Sequence, residues 1–444
     1  MRILIQGINF SPELTGIGKY TGEMAEWLAG RGHEVRVVTA PPHYPEWKAF
    51  DRYSARQFRR GKRILSAGAT GRLEVYRCPV WIPRTPRSWR RILYLGSFAL
   101  SGSLGMLRQI FWRPDVVMLV GPTLFCVPTA LCVAWLSGAL SWLHVQDFEV
   151  DAAFELEGLF SPRTRRLAYA CERYLLQRFD RVSAISERMV ERLAVKGVDG
   201  ARSVLFPNWV DTSVIHPLPA PSPLRQSLGI PEHKVVALYS GNMGRKQGLD
   251  LLGEASRLLA NREDIQLVFC GAGANRERLA QMTEGFRNVR FLPLQPAGQL
   301  NDLLNLADIH LLPQRGSARD LMMPSKLTGM LASGRAVVAT AEAGTQLATV
   351  VNGRGIVTPP GDVDAFVSAV IHLAEDGGLR RQLGQEARKY AETNLRRDEI
   401  LRQFELSLME ASRHSRTLEL SASRAGLRLA TKKSTLAAKK ADDY

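Results

Sequence analysis

The chain has 444 residues, 45% of them hydrophobic and 23% charged, which excludes a disordered or fibrous protein and points to two globular domains. A net charge of +16 asks for an anionic counterpart: nucleic acid, an anionic membrane surface or a negatively charged substrate. Five cysteines (Cys78, Cys126, Cys132, Cys171, Cys270), odd in number and without metal-ligand spacing, argue against a disulfide scaffold and for reduced, mostly buried thiols in the cytoplasm.

Arg2 to Gln6 reads as an apolar strand and Gly7 to Tyr20 as a loop. Thr21 to Gly30 reads as a helix with Met24, Trp27 and Leu28 on one face, and Glu34 to Thr39 as a second strand. This order opens a parallel doubly wound α/β sheet. MRILIQGINF lacks a long apolar run followed by a cleavage site, so no signal peptide is expected. Gly16, Gly18 and Gly22 suggest a dinucleotide fingerprint, but nine residues intervene between the strand and Gly16, and Thr39-Ala40-Pro41 supplies no acid for a ribose. An oxidoreductase is therefore rejected. What remains is a ligand loop at the carboxyl edge of the sheet, with Glu13 either a solvated acid or a site group.

Pro41 to Trp47 (PPHYPEW) forms a second loop at that edge. From Arg52 to Arg113 there are fourteen Lys or Arg against one acid, Glu74, with Trp81, Trp89, Phe98, Phe111 and Trp112 interleaved. Such a mixture suits a surface resting on anionic lipid; a solvated basic face over one buried helix is the simpler alternative. No nucleic-acid module is recognisable. Val116 to Leu143 is long and uncharged, but Gly121, Pro122, Pro128 and Gly138 interrupt it. It reads as strand, loop, buried helix (Leu124 to Leu136) and strand rather than as a transmembrane span. The last strand runs into His144-Val145-Gln146-Asp147-Phe148-Glu149, a polar cluster at another carboxyl edge. Ser161-Pro162 caps the next helix.

Prolines at 217, 219, 221 and 223 mark a stiff linker, 216–224, between domains 1–215 and 225–412. The pattern then restarts. The strand Val235 to Tyr239 leads into the glycine-rich turn GNMGRKQG, which carries Asn242, Arg245 and Lys246; the strand Ile265 to Phe269 leads into a second one, GAGANRERL. In LMMPSKLTGMLASGRAVVAT (321–340), Ser325 is expected to cap a helix, Lys326 follows at once, Gly334 stops it, and Ala336 to Ala339 is a buried strand. Three amide-rich turns on one sheet edge, with Arg245, Lys246 and Lys326, suit phosphate far better than any one of them. Gly361 to about Arg413 is helical and closes the domain, and the basic tail 413–444 reads as disordered or weakly helical.

As an ordered set, GINFSPELTGIGKYTGEMAEWLAGRGHEVRVVTAPPHYPEW, HVQDFEVD, FPNWVD, YSGNMGRKQGLD, GAGANRERL and MPSKLTGMLASGRAVVAT resemble family-4-type glycosyltransferases over residues 1 to about 412. The resemblance is strongest to the bacterial exopolysaccharide branch around colanic-acid fucosyltransferase-like proteins. It implies the GT-B architecture, two facing Rossmann-like doubly wound domains with a cleft between them. It implies a nucleotide-sugar donor held mainly in the C-terminal domain. By position, Asn242, Arg245 and Lys246 would meet the donor diphosphate, Gly271 and Gly273 the nucleotide, and Ser325 and Lys326 would open the phosphate-facing helix. Gly16 and Gly18 match an N-domain loop facing the donor phosphate, and Asp147 matches the acid beside the transferred sugar. Glu13, His43 and Tyr44 fall in loops expected to meet the acceptor. Asp147, Lys246 and Glu13 are the expected catalytic set.

Two departures from the family pattern stand out. Many relatives carry two glutamates where this chain has Leu321 and Gly329, and a histidine where it has Gln146. The resemblance implies transfer with retention of configuration. Fixed cations and amides would hold the departing diphosphate, so no metal and no cofactor is expected. Asp362-Val363-Asp364 has the letters of a metal pair but stands where it would cap a helix. The expected activity moves a sugar, with GDP-fucose one candidate donor, onto a polyprenyl-diphosphate-linked oligosaccharide in exopolysaccharide synthesis. The expected setting is cytoplasmic, peripheral on the inner face of the plasma membrane, with no nucleic acid. A nucleotide-sugar epimerase of the same fold and an inactive membrane-bound scaffold are the alternatives.

Overall fold

Uncharged runs such as VVMLV and VVALYS suit strands buried on both faces, and each lies inside its sheet between parallel neighbours. The computed structural model describes residues 1–14, 16–63, 70–84, 88–121, 124–151, 154, 161–244, 247–316 and 323–413. The N-terminal sheet contains β1 (Arg2–Gln6), β2 (Glu34–Thr39), β3 (Arg59–Arg63), β4 (Arg72–Arg77), β5 (Val116–Val120), β6 (Leu140–Val145), β7 (Arg181–Ala184) and β8 (Ser203–Leu205). Their order is β3-β4-β2-β1-β5-β6-β7-β8, parallel throughout except for the β3–β4 pair.

The C-terminal sheet contains β9 (Val235–Ser240), β10 (Ile265–Cys270), β11 (Val289–Leu292), β12 (Ile309–Leu312), β13 (Ala336–Thr340) and β14 (Gly355–Thr358). It is parallel, in the order β11-β10-β9-β12-β13-β14. In each sheet the chain starts in the middle and winds first one way and then the other. The strand order therefore reverses between β1 and β5 and between β9 and β12, and the loops leaving those strands open a crevice. This is the doubly wound α/β architecture expected from the sequence. No described helix is long and apolar enough to cross a membrane, and Val116 to Leu143 divides into β5, a 3-10 turn, the helix Val127–Ser137 and the start of β6. Cys78, Cys126 and Cys270 are buried, whereas Cys132 and Cys171 are exposed.

Two boundaries differ from expectation. The first helix is Gly16–Gly30, so Gly16 and Gly18 lie in its first turn rather than in a loop. The second difference is larger. Helix 397–413 carries Ile400, Leu401, Phe404 and Leu408 as an apolar stripe, and that stripe packs into the N-terminal core. Phe404 stacks on Phe206 with centroids 3.9 Å apart and meets Trp142 edge-on at 5.3 Å. Arg31 Nε donates to Glu405 Oε2 at 3.2 Å, and His33 Nε2 lies 2.8 Å from Glu405 Oε1. The chain thus crosses back to the first domain near Leu395, where Val210 N donates to Leu395 O at 2.8 Å. A boundary at 412 misplaces this helix, because the stripe shows that it is buried but not against which domain. Residues 414–444 lie outside the described set.

Candidate active site

Glu13 follows β1 and is 2% exposed. Its Oε1 accepts the backbone N–H of His43 (2.9 Å) and of Tyr44 (3.1 Å), and its Oε2 accepts from Asn9 Nδ2 at 3.0 Å. The carboxyl therefore ties the loop after β1 to the loop after β2. Burial pushes its pKa up to about 7, against the opposing pull of these hydrogen bonds and of Arg77. Gly18 makes room for it, since a Cβ there would stand 2.5 Å from Glu13 Oε2.

His43 is equally enclosed. Its Nδ1 lies 2.7 Å from the Pro41 carbonyl, which can only accept, so Nδ1 carries the proton; Nε2 then accepts from the Tyr94 hydroxyl at 2.7 Å. Burial lowers its pKa, which keeps the ring neutral. Glu13 and His43 were candidates for meeting the acceptor directly. Their polar atoms are instead consumed beneath the loops, where they set the position of Tyr44.

On the other side of the cleft the turns after β9 and β10 pack backbone to backbone. Met243 N donates to Ala272 O at 2.8 Å, and Asn275 N donates to Met243 O at 3.0 Å. Gly271 has φ +150°, and a Cβ on it would overlap the Gly241 carbonyl. Gly273 has φ +148°, and its Cβ would press on Met243 and Asn242. Both glycines, read as nucleotide contacts, are thus required by the contact between the two turns.

The third turn brings Lys326. Its stem rests on the first turn, with Lys326 Cδ 3.5 Å from where a Gly241 Cβ would stand. Its ammonium is buried 3.9 Å from the Tyr239 ring centroid, with no hydrogen-bond partner among the described residues. Burial lowers its pKa to about 7. Ser325 departs from expectation. Its backbone is already helical (φ −60°, ψ −25°) and its hydroxyl makes no cap bond, while its carbonyl accepts from the Tyr20 hydroxyl of the other domain at 3.3 Å.

The two sides meet at Tyr44. Asn242 Nδ2 donates to the Tyr44 hydroxyl at 2.8 Å, and the Tyr239 hydroxyl donates to Asn242 O at 2.6 Å. Gly16, with φ +62°, opens its helix against the same tyrosine ring. Asp147, after β6, faces this cluster: burial raises the Tyr44 pKa first, and the Asp147 and Glu13 charges add to it. Gly16, Tyr44, Asn242, Gly273 and Lys326 are therefore gathered around one end of the cleft, with Asp147 acting on it.

Gln146 does not share that place. Its Nε2 donates to His144 Nε2 (2.8 Å) and Asn208 Oδ1 (3.3 Å), so it is turned into the sheet and leaves the His144 proton on Nδ1, toward Ser183. At Gly329 a Cβ would lie 3.2 Å from Leu304 Cδ1, so a larger side chain there would require Leu304 to shift. Arg245, Lys246 and Leu321 lie outside the described residues. Asp362 Oδ1 accepts from Ala365 N at 2.9 Å, as a helix cap. Among the described residues no group of three or more His, Cys, Asp or Glu is placed to hold a metal.

Sequence reasoning missed Tyr20, Tyr94, Asn9 and Tyr239. Only Tyr239 left a signal, a polar ring ending an aliphatic buried strand just before a glycine turn.

Two doubly wound domains facing each other across a cleft, with amide-rich turns on the C-terminal wall, define the GT-B fold. Residues 15–209 match the glycosyl transferase 4-like domain, and residues 222–390 match glycosyl transferases group 1. Over 415 residues, 91% of this chain and 98% of the other, the sequence is 42% identical to a protein named colanic acid biosynthesis glycosyl transferase WcaI from Escherichia coli K12. A GDP-mannose-dependent alpha-mannosyltransferase of Mycolicibacterium smegmatis is 26% identical over 281 residues, covering 63% of this chain and 65% of that one. Among solved structures, sucrose-phosphate synthase from Thermosynechococcus elongatus aligns with a TM-score of 0.70 at 17% identity, over 92% of this chain and 98% of that one. Anabaena HepE in complex with UDP-glucose aligns with a TM-score of 0.66 at 15% identity, over 92% and 100%. The chain belongs to the family-4 glycosyltransferases of the GT-B fold.

Proposed function

We propose that this protein moves a sugar from a nucleotide-sugar donor to a lipid-diphosphate-linked oligosaccharide in exopolysaccharide synthesis of the colanic-acid type. One observation carries the donor side of this reading: the Lys326 ammonium, buried against the first glycine turn with no hydrogen-bond partner or ion pair among the described residues. A buried cation without an anion is costly, and a diphosphate seated there removes the cost. A GDP-sugar, with GDP-fucose one candidate, is the donor we put forward.

In the proposed reaction the bond from the anomeric carbon to the diphosphate oxygen breaks. A bond to an acceptor hydroxyl oxygen forms on the same face, and the acceptor proton passes to the leaving phosphate. Negative charge grows on that phosphate, so cations holding it more tightly in the transition state lower the barrier. Lys326 takes that role, with Arg245 and Lys246 on the turn after β9 by their place in sequence, while Asn242 serves ground and transition states alike. Asp147 orients the transferred sugar. Glu13 acts as a positioning residue for Tyr44. These fixed cations serve without a metal, so turnover is expected to survive a chelator.

The acceptor side rests on an exposed apolar face. The helices Ser88–Leu107 and Val127–Ser137 pack together and expose Leu93, Leu100, Leu104 and Trp135, with Phe111 beside them at 92% exposure. Arg90, Arg91, Arg108 and Arg113 belong to the same segments. Apolar residues beside cations suit the anionic inner leaflet. Flotation with phosphatidylglycerol vesicles should be lost in Leu100→Asp/Trp135→Asp, and unchanged flotation would remove this face from the reading.

The decisive assay is release of nucleoside diphosphate with and without a lipid-linked acceptor, across GDP-, UDP- and dTDP-sugars. Release that depends on acceptor is expected, with a retained anomer in the product. Conversion of the donor alone would point to an epimerase, and donor binding without turnover to a scaffold. An inverted product would overturn the same-face mechanism.

A further inference from the structure

A groove of about 450 Å³ lies at the opposite edge of the C-terminal sheet from the glycine turns. Arg335 directly precedes β13 and Asp308 directly precedes β12, so this is the amino edge of the sheet. The helix Gly377–Asn394 forms one wall with Arg380, Arg381, Arg388 and Lys389, and Pro217 of the interdomain linker forms the rim.

Five cations thus face a concavity that holds two acids, both already engaged. Asp308 Oδ2 accepts from Val236 N at 2.8 Å and pairs with Arg225 at 3.3 Å, while Glu392 accepts from Arg388 Nε at 2.7 Å. Backbone carbonyls fix two of the cations in place. Arg388 donates to Ile215 O (2.7 Å), Ala332 O (2.8 Å) and Thr212 O (3.1 Å), and Arg380 donates to Ala374 O (2.7 Å).

The other cations lack such partners. Arg335 donates from Nη2 to Asn305 Oδ1 at 3.4 Å and feels the Asp308 charge, but its Nε is buried without a partner, and among the described residues neither the Arg381 guanidinium nor the Lys389 ammonium has an ion pair. Arg380 Nη2 and Arg381 Nη1 both lie 3.5 Å from the point where a Gly377 Cβ would stand, so two guanidiniums flank one space that glycine leaves open.

We propose that this groove binds a phosphate-bearing anion of about diphosphate size, separately from the donor site in the cleft. Clustered, pre-positioned guanidiniums are the arrangement that phosphate oxygens satisfy with paired charge-assisted bonds. The cavity is also of the size that small anionic ligands fill. The site is set beside the interdomain linker. Arg388 holds the Thr212 and Ile215 carbonyls, and the linker is pinned further by His216 N to Asn301 Oδ1 and Leu218 N to Asn305 Oδ1, both at 3.0 Å. An anion bridging Arg381, Arg388 and Lys389 therefore braces the segment that joins the two domains. Its source is either a soluble diphosphate or a phospholipid headgroup.

The test separates the groove from the cleft by working in a Lys326→Ala background. Inorganic pyrophosphate is titrated calorimetrically at constant ionic strength. One saturable site is expected, weakened about tenfold or more by adding Arg381→Glu and Lys389→Glu, two exposed positions whose effect on folding a melting curve checks. Equal pyrophosphate affinity in both proteins overturns the proposal. So does binding that chloride at the same ionic strength reproduces. Flotation with phosphatidylglycerol and with phosphatidylcholine vesicles identifies the source. Loss of flotation in the groove variant assigns a lipid headgroup, and retained flotation with lost pyrophosphate binding assigns a soluble anion.

Discussion

Asn242 of the C-terminal domain donates a 2.8 Å hydrogen bond to the hydroxyl of Tyr44 in the N-terminal domain, so one side chain on each wall closes the end of the cleft. Each partner is itself held. Glu13 takes the Tyr44 backbone N–H, and Tyr239, under the Lys326 ammonium, donates to the Asn242 carbonyl. A continuous series of contacts thus runs from a buried carboxyl in one domain to a buried ammonium in the other.

Tyr44→Phe removes the acceptor of that bond and nothing else. The loss should cost about 0.5–1.5 kcal/mol, read as a several-fold rise in donor KM with kcat little changed, because the contact serves ground and transition states alike. Asn242→Ala should act similarly, and the double variant should add little to either. Fully additive effects in a steady-state double-mutant cycle would show that the two residues act separately.

Glu13 gives a pH signature. Its pKa is raised from 4.5 to about 7, so the native state holds this proton more firmly than the unfolded chain does. The stability this contributes is fully present below the unfolded value, falls as pH rises through the interval, and is gone above about pH 7. Glu13→Gln keeps a carbonyl for the His43 and Tyr44 amides but cannot titrate. Its melting temperature should therefore decline less steeply than the parent's between about pH 5 and 8. Parallel declines would assign the slope to other groups.

Lys326 should take up a proton when donor binds. Burial lowers its pKa from 10.5 to about 7, so in the free protein at about pH 8 it is mostly neutral. An adjacent diphosphate raises that pKa and draws a proton from the buffer. Calorimetric titration of nucleoside diphosphate in buffers of different ionisation enthalpy should show this uptake at pH near 8, and Lys326→Met should abolish it. The same uptake in Lys326→Met would place the titrating group elsewhere.

Phe404→Ala should destabilise the N-terminal domain although residue 404 follows the whole C-terminal domain in sequence. It removes a buried ring stacked on Phe206 and set against Trp142, a change that costs about 3–5 kcal/mol in a close-packed core. Thermal unfolding followed by the fluorescence of the eight tryptophans, all of which lie in the N-terminal domain, measures the loss.

Local patterns were enough to read the two sheets, the glycine turns and the place of Lys326. Uncharged runs mark buried strands, and a turn that needs positive φ shows itself as glycine. The alternation of strand and helix then puts every such turn on one edge of its sheet. The family motifs added the GT-B arrangement. The roles of Glu13 and His43, the Ser325 carbonyl turned to Tyr20, and the home of helix 397–413 were decided only in three dimensions. Each depends on a partner remote in sequence: His43 for Glu13, Tyr94 for His43, Tyr20 for Ser325, and Phe206 for Phe404. Periodicity says that a side chain is buried, and the nearest unsatisfied group or open face, known only once the chain has folded, says where.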